Sequence, residues 1–231
     1  MRFDVLTLFP EIINAVSSES IIGRAQDNNI IEINAVNIRD FSKNKHKKAD
    51  DYPYGGGNGM VMMVQPIYDA YLSIVNNLDY KPRVIYMSPQ GRVFNQNIAR
   101  ELKNYNHLIL LCGHYEGIDE RIIDEIVDEE ISVGDFVLTG GELPAMILID
   151  CISRLIPGVL SNEESSVEES HSNGMLEYPQ YTRPYEFKNR KVPDILMSGH
   201  HANIQEWRRQ QSIKRTHEKR PDLYKKLGID E

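Results

Sequence analysis

The chain has 231 residues, 41% of them apolar, with 34 acidic against 26 basic side chains and a formal net charge of −8. That length suits one large or two small globular domains with enough residues to bury a core, and no run approaches the roughly 18 apolar residues of a membrane span. Residues 1–10 read as a strand and lack a signal peptide's layout, so a soluble, cytoplasmic protein without a membrane partner is expected.

Apolar spacing then divides the chain into alternating elements. Residues 3–9 read as a strand, 11–28 as a helix and 31–38 as a strand. The pattern breaks over 39–60, where Lys43, Lys45, His46, Lys47 and Lys48 precede Asp50, Asp51 and the run Gly55-Gly56-Gly57-Asn58-Gly59. A loop of roughly twenty residues in a compact domain is functional or disordered. A helix at 65–78, a strand at 83–87, a helix at 95–104, a strand at 107–112, a helix at 117–127, a strand at 131–138 and a helix at 142–156 follow. This alternation predicts an α/β fold, a mostly parallel sheet with helices on both faces. Segment 161–173, rich in Ser, Glu and Asn, reads as a linker, which makes 1–160 the first domain and 174–231 a small second one. Within the second, 178–193 is loop-like and 201–227 reads as two helices divided at Arg220-Pro221.

Charge is uneven along the chain. Acids concentrate at 116–135 and 163–169, whereas 183–231 carries 12 Lys and Arg against 7 Asp and Glu. That basic helical piece and the 43–48 cluster point to phosphate-backbone contact despite the negative sum. Cys112 and Cys151 lie inside apolar runs with no partner at metal-ligand spacing, so buried free thiols are expected and no metal site is.

Three glycine-bearing segments follow predicted strands: Ser88-Pro89-Gln90-Gly91, Gly113-His114-Tyr115-Glu116-Gly117 and Gly134-Asp135-Phe136-Val137-Leu138-Thr139-Gly140-Gly141-Glu142-Leu143-Pro144. In an open parallel sheet all three lie at the carboxyl ends of the strands, where ligands bind. In the last, paired glycines permit φ > 0 and close approach of a ligand to the main chain, and Pro144 suits the first turn of the next helix. Taken alone, this turn is either a ligand loop or an empty strand-to-helix connection. No window reads G-x-G-x-x-G between a strand and a helix, and the 55–59 run lacks the Gly-Lys-Ser/Thr ending of a P-loop. This argues against a nucleoside triphosphate and is compatible with a ligand held by backbone and apolar walls, such as an adenosyl group.

Seven segments, in order, carry a resemblance that spans nearly the whole chain. They are Leu6-Thr7-Leu8-Phe9-Pro10, the run from Asp51-Tyr52-Pro53-Tyr54-Gly55 through Met62, Cys112-Gly113-His114-Tyr115-Glu116-Gly117-Ile118-Asp119-Glu120-Arg121, the 134–144 turn, Arg154-Leu155-Ile156-Pro157-Gly158-Val159-Leu160, Pro179-Gln180-Tyr181-Thr182-Arg183-Pro184 and Ser198-Gly199-His200-His201. In this order they resemble the bacterial tRNA (guanine-N1)-methyltransferase, or TrmD, family. The resemblance implies a SPOUT-class fold with a deep trefoil knot, an exception to the rule that chains avoid threading, and S-adenosylmethionine bound at that knot. Carried over, the donor site comprises Tyr86, Met87, Ser88, Pro89, Gly113, Tyr115, Glu116, Gly117, Ser132, Val133, Gly134, Asp135, Phe136, Val137, Leu138, Gly140, Gly141 and Pro144. The resemblance also implies a homodimer whose site joins the knotted domain of one subunit to the linker and helical domain of the other. The anticodon stem-loop of tRNA would meet Arg24, His46, Asp50, the loop from Gly55 to Gly59, Ser165, Ser170, Gly199 and His200. A magnesium ion near the RNA or substrate stays open.

The implied reaction methylates N1 of the guanosine immediately 3′ of the anticodon when another guanosine precedes it. Guanine N1 carries a proton at neutral pH, so the reaction needs a base to remove it and a cation to steady the charge developing on O6. The family's arginine matches Arg154. Its base, an aspartate in an Asp-Ser-Phe segment, matches Glu169 in Glu169-Ser170-His171. The extra methylene moves the carboxylate by about an ångström, and misplacement of that order can cost about a hundredfold. Either the local backbone compensates or the base is less effective, and neighbouring Glu168 is a substitute if the register slips by one. Two alternatives stay open: a catalytically silent tRNA-binding module and a SPOUT methyltransferase acting on another RNA.

Overall fold

A computed structural model describes residues 1–160, 170–171 and 174–228. The chain forms two compact units, Met1–Ser161 and Asn162–Glu231. The first runs β1 (Arg2–Thr7), α1 (Pro10–Ser17), α2 (Ser20–Asp27), β2 (Glu32–Asn37), β3 (Asp50–Asp51), β4 (Val61–Met62), α3 (Val64–Val75), β5 (Arg83–Val93), α4 (Gln96–Leu102), β6 (His107–Cys112), α5 (Glu120–Ile126), β7 (Glu129–Ser132) and α6 (Glu142–Ser153). Five of these strands make one parallel sheet in the order β2-β1-β6-β5-β7.

The central strand β6 is buried at every position, as a parallel strand covered on both faces must be. Its side chains alternate between two cores. Leu108, Leu110 and Cys112 join Phe3 and Val5 of β1 and Ile85 and Met87 of β5 on one face, under α1, α2, α4 and α6. Ile109 and Leu111 join Leu6, Val84 and Tyr86 on the other, under α3 and α5. Helices on both faces follow from this period-two division of an apolar run.

Several sequence expectations need correction. The helix expected over 11–28 is two helices. Ser18 and Ser20 are weak helix formers whose side chains compete for the backbone, Ser18 Oγ donating to Ala15 O at 3.4 Å, and Ser20 sits at φ 56° in the left-handed region. The strand expected at 83–87 continues to Val93, so Ser88 to Gly91 form a bulge inside it: Met87 and Arg92 both stand opposite Ile131 of β7. Pro89 has no N–H to give a ladder, which favours interruption there. The strand expected over 131–138 stops at Ser132, whose Oγ accepts from Gly134 N at 3.1 Å, and Gly134 takes φ 147°. The 39–60 segment is not a featureless loop. It holds a 3-10 turn at Ile38–Phe41, and its far end closes into a hairpin in which Asp50 pairs with Met62. The helix expected from 117 starts at Glu120, where Asp119 caps it by accepting from Arg121 N at 3.0 Å.

The second unit adds β8 (Glu186–Phe187), β9 (Arg190–Lys191), α7 (His201–Lys219) and α8 (Pro221–Lys226). The 178–193 stretch, expected as loop, thus contains a two-stranded hairpin, with Lys188 and Asn189 at positive φ in its turn. The two helices divide at Arg220-Pro221 as expected, and Pro221 begins α8, where a missing N–H costs nothing. Thr216 of α7, fully buried, accepts from Leu176 N at 2.9 Å, and the Arg208 guanidinium lies 4.6 Å from the Tyr178 ring centroid. Among the described residues no helix is long and apolar enough to cross a membrane.

Candidate functional site

Because β5, β6 and β7 are parallel neighbours, the segments at their carboxyl ends gather at one edge of the sheet. They enclose a cavity of about 240 Å³. Tyr86 to Pro89 of β5 and its bulge form one wall, Gly113 to Gly117 after β6 a second, and Ile131 to Gly134 with Phe136 to Gly141 and Pro144 a third. Every residue expected at the donor site lines this cavity except Asp135. Ile131, His114 and Thr139 also line it and were not anticipated: Ile131 reads as ordinary core, and nothing in the sequence aims the other two inward.

Glycines set the width of the space. A Cβ on Gly113 would stand 2.8 Å from the Tyr86 hydroxyl oxygen, and one on Gly141 would stand 2.7 Å from Cys112 Cα. Gly141 N donates to Gly113 O at 3.0 Å, and Gly140 pairs with His114, so the third wall runs directly along the second. The paired glycines therefore serve close approach rather than positive φ, since Gly141 sits at φ −84°. Tyr115, in contrast, takes φ 60° without being glycine. Its hydroxyl accepts from Arg39 Nη2 at 3.0 Å, and its ring is 46% exposed. Burial pushes the Tyr86 hydroxyl up to about 12. The Cys112 thiol is raised well above its usual value by burial and is inert, while Cys151 is only half-buried.

Behind the cavity wall, buried Glu142 accepts from Thr7 Oγ1 at 2.6 Å and lies 2.9 Å from His114 Nε2. The glycine-rich loop at 55–59 is tied to the same site. Glu116 N donates to Met60 O at 3.0 Å, Met62 N donates to Gly117 O at 3.0 Å, and a Cβ on Gly59 would run into the Glu116 side chain.

The other expected residues are dispersed. Asp50 is half-buried in β3, His46 is exposed in the preceding loop and Arg24 is exposed on α2. Arg154 caps the carboxyl end of α6, its N donating to Asp150 O at 3.1 Å. It does not line the cavity, because the twelve residues of α6 place it about 18 Å along the helix axis from Glu142. Ser170, Gly199 and His200 belong to the second unit. Ser170 Oγ accepts from Glu177 N at 3.0 Å, and exposed His200 precedes α7 after Gly199 at φ 72°. Ser165, Glu168 and Glu169 lie outside the described residues.

A family model described as tRNA (Guanine-1)-methyltransferase TrmD matches residues 1–226. The tRNA (guanine-N(1)-)-methyltransferase of Ruminiclostridium cellulolyticum is 70% identical over 227 residues, covering 98% of this chain and 97% of the relative. The protein of the same name from Clostridioides difficile is 61% identical over 227 residues, covering 98% of each, and that from Staphylococcus haemolyticus is 54% identical over 231 residues, covering 100% and 94%.

Proposed function

Because the chain belongs to the tRNA (guanine-1)-methyltransferase TrmD family, we propose that it methylates N1 of the guanosine immediately 3′ of the anticodon in tRNA, with S-adenosylmethionine held in the strand-end cavity. The observation that carries the donor site is the convergence of three loops on one space whose walls are glycine backbone and apolar side chains. Met87, Ile131, Val137 and Leu138 offer surface to an adenine ring, and the glycines of the 113–117 and 134–141 segments let a ligand approach the main chain closely. When bound, the donor supplies an electrophilic methyl on a positively charged sulfur. The passage of the 134–141 segment against the 112–114 backbone supports the tight crossing of a SPOUT-type trefoil knot.

For the chemistry, Glu169 accepts the guanine N1 proton and the Arg154 guanidinium steadies negative charge building on O6. The distance of Arg154 from its own chain's cavity supports a composite site in a homodimer, in which one chain's cavity is completed by a second chain. An exposed apolar strip, Ile12 and Val16 on α1 with Leu143 and Ile147 on the adjoining α6, supports a self-complementary contact face. On the RNA side, the 55–59 loop joins the donor cradle, and exposed Tyr52 and Tyr54 beside it present ring faces on which unpaired bases can stack. The basic helices α7 and α8 supply affinity without sequence preference. Among the described residues no group of three or more His, Cys, Asp or Glu could hold a metal ion.

The test is incubation of the full chain with S-adenosylmethionine and an unmodified tRNA bearing two guanosines at and before the target position. We expect 1-methylguanosine there on nucleoside analysis. Its absence, with donor and tRNA both bound, would overturn the reading.

A further inference from the structure

We infer that Glu142, Thr7 and His114 form a latch that sets the separation of two walls of the donor cavity, which makes Glu142 a positioning residue for donor binding. The inference rests on the donor assignment above. Glu142 is 3% exposed, and its carboxylate is spent entirely inside the protein. One oxygen accepts from the Thr7 hydroxyl at the end of β1, at 2.6 Å, and the other lies 2.9 Å from His114 Nε2 in the loop after β6. Thr7 Oγ1 donates to one oxygen and His114 Nε2 lies within hydrogen-bond range of the other. A carboxyl group taken out of water is costly unless hydrogen bonds offset it, and both oxygens of Glu142, in the first turn of the twelve-residue α6, have such partners.

The placement gives the pair its use. Glu142 is the first residue of α6 and directly follows the third cavity wall, whereas His114 belongs to the second. Thr7 is fully buried at the rigid end of β1, and its Oγ1 also accepts from Phe9 N at 2.9 Å. His114 is held from other sides as well, by the Phe9 ring at 4.8 Å between centroids and by its own N–H on Met62 Sδ at 3.2 Å. Gly140 of the third wall faces both partners, for a Cβ there would meet the His114 ring and the Glu142 carboxylate, the latter at 2.6 Å. The latch thus draws the two glycine walls together from behind, on a scale where displacements of about half an ångström matter to a bound ligand.

The full chain carrying Glu142→Gln, His114→Ala, both together, Thr7→Val or Thr7→Ser is titrated with S-adenosylhomocysteine by calorimetry and assayed for KM of donor and of tRNA. Glu142→Gln and His114→Ala each should weaken S-adenosylhomocysteine binding and raise donor KM by about tenfold, the Glu142→Gln loss falling on donor KM more than on kcat. The double variant should be no worse than the worse single one, and Thr7→Ser should bind like the unsubstituted chain while Thr7→Val should not. Unchanged donor affinity in both His114→Ala and Glu142→Gln, or losses that add, would overturn the latch. If Glu142→Gln does not fold, His114→Ala and the Thr7 pair decide on the same criteria. An unsubstituted chain that fails to bind S-adenosylhomocysteine would overturn the donor assignment and the latch with it, whereas equal binding by chain and variants removes the latch alone.

Discussion

Opposite edges of one sheet each carry a carboxylate–histidine pair, fully buried at one edge and with a half-buried histidine at the other, and the two pairs have different surroundings. At the amino edge Asp4 of β1 meets His107 of β6 at 2.6 Å, both side chains 1% exposed. Arg2 donates to both Asp4 oxygens, at 2.9 and 3.2 Å, and the Tyr80 hydroxyl lies 3.1 Å from His107 Nδ1. At the carboxyl edge Glu142 and His114 sit between glycine walls, with the cavity on the other side of His114. The first pair lies inside the sheet and is held further by Arg2 of β1 and by Tyr80 from the loop before β5. The second joins two loops that wall the strand-end cavity. The same chemical pair therefore ties strands together in one place and loops around a cavity in the other, according to whether strands or glycine loops surround it.

This contrast can be broken most severely at Asp4. Asp4→Ala leaves buried His107 and partly exposed Arg2 without their shared acceptor and should lower stability by about 3–5 kcal/mol in urea unfolding, with S-adenosylhomocysteine affinity unchanged in the folded fraction. A loss of donor affinity instead would make the amino edge part of the site. Next in size, Arg154→Ala and Glu169→Ala should each lower kcat on the order of 100-fold in single-turnover assays while sparing donor affinity. A variant defective only in tRNA affinity would remove the assigned role.

A smaller effect concerns pH. Burial alone would raise the Asp4 carboxyl, but hydrogen bonds from His107 and Arg2 outweigh it and hold the folded-state pKa below the ordinary 3.8. A depressed folded pKa means that the stabilisation is fully present above about pH 5 and is lost as pH falls below about 4 toward the folded value. Stability of Asp4→Asn measured over pH 2–6 should therefore fall less steeply at the acid end than that of the unsubstituted chain; parallel curves would contradict this. Smallest of all, Lys219→Ala or Lys226→Ala should weaken tRNA binding on the order of twofold and flatten its salt dependence. A loss confined to one tRNA sequence would argue against backbone contact.

The sheet was legible because β6 is an unbroken apolar run and its neighbours repeat it, and the loops that wall the cavity at its carboxyl edge were legible because glycines punctuate those ends. What escaped notice depends on contacts between distant residues. The Ser88–Gly91 bulge arises from pairing with Ile131, and apolarity alone carried the expected strand past Ser132 into a loop. Thr7 and Glu142 stand 135 positions apart, so nothing local marks them as partners. The single helix expected over 11–28 failed because amphipathic spacing bridges a serine-rich break. Arg154 was recognised by resemblance alone, and only the length of α6 shows how far it lies from the cavity of its own chain.

The central claim is that the strand-end cavity receives the methyl donor, and hydrogen exchange on the full chain with and without S-adenosylhomocysteine tests it most directly. The account predicts new protection concentrated in 86–88, 113–117 and 132–141, with the amino-edge residues 2–4 and 107–108 unchanged. Protection elsewhere, with these three segments unaltered at saturating ligand, would contradict it.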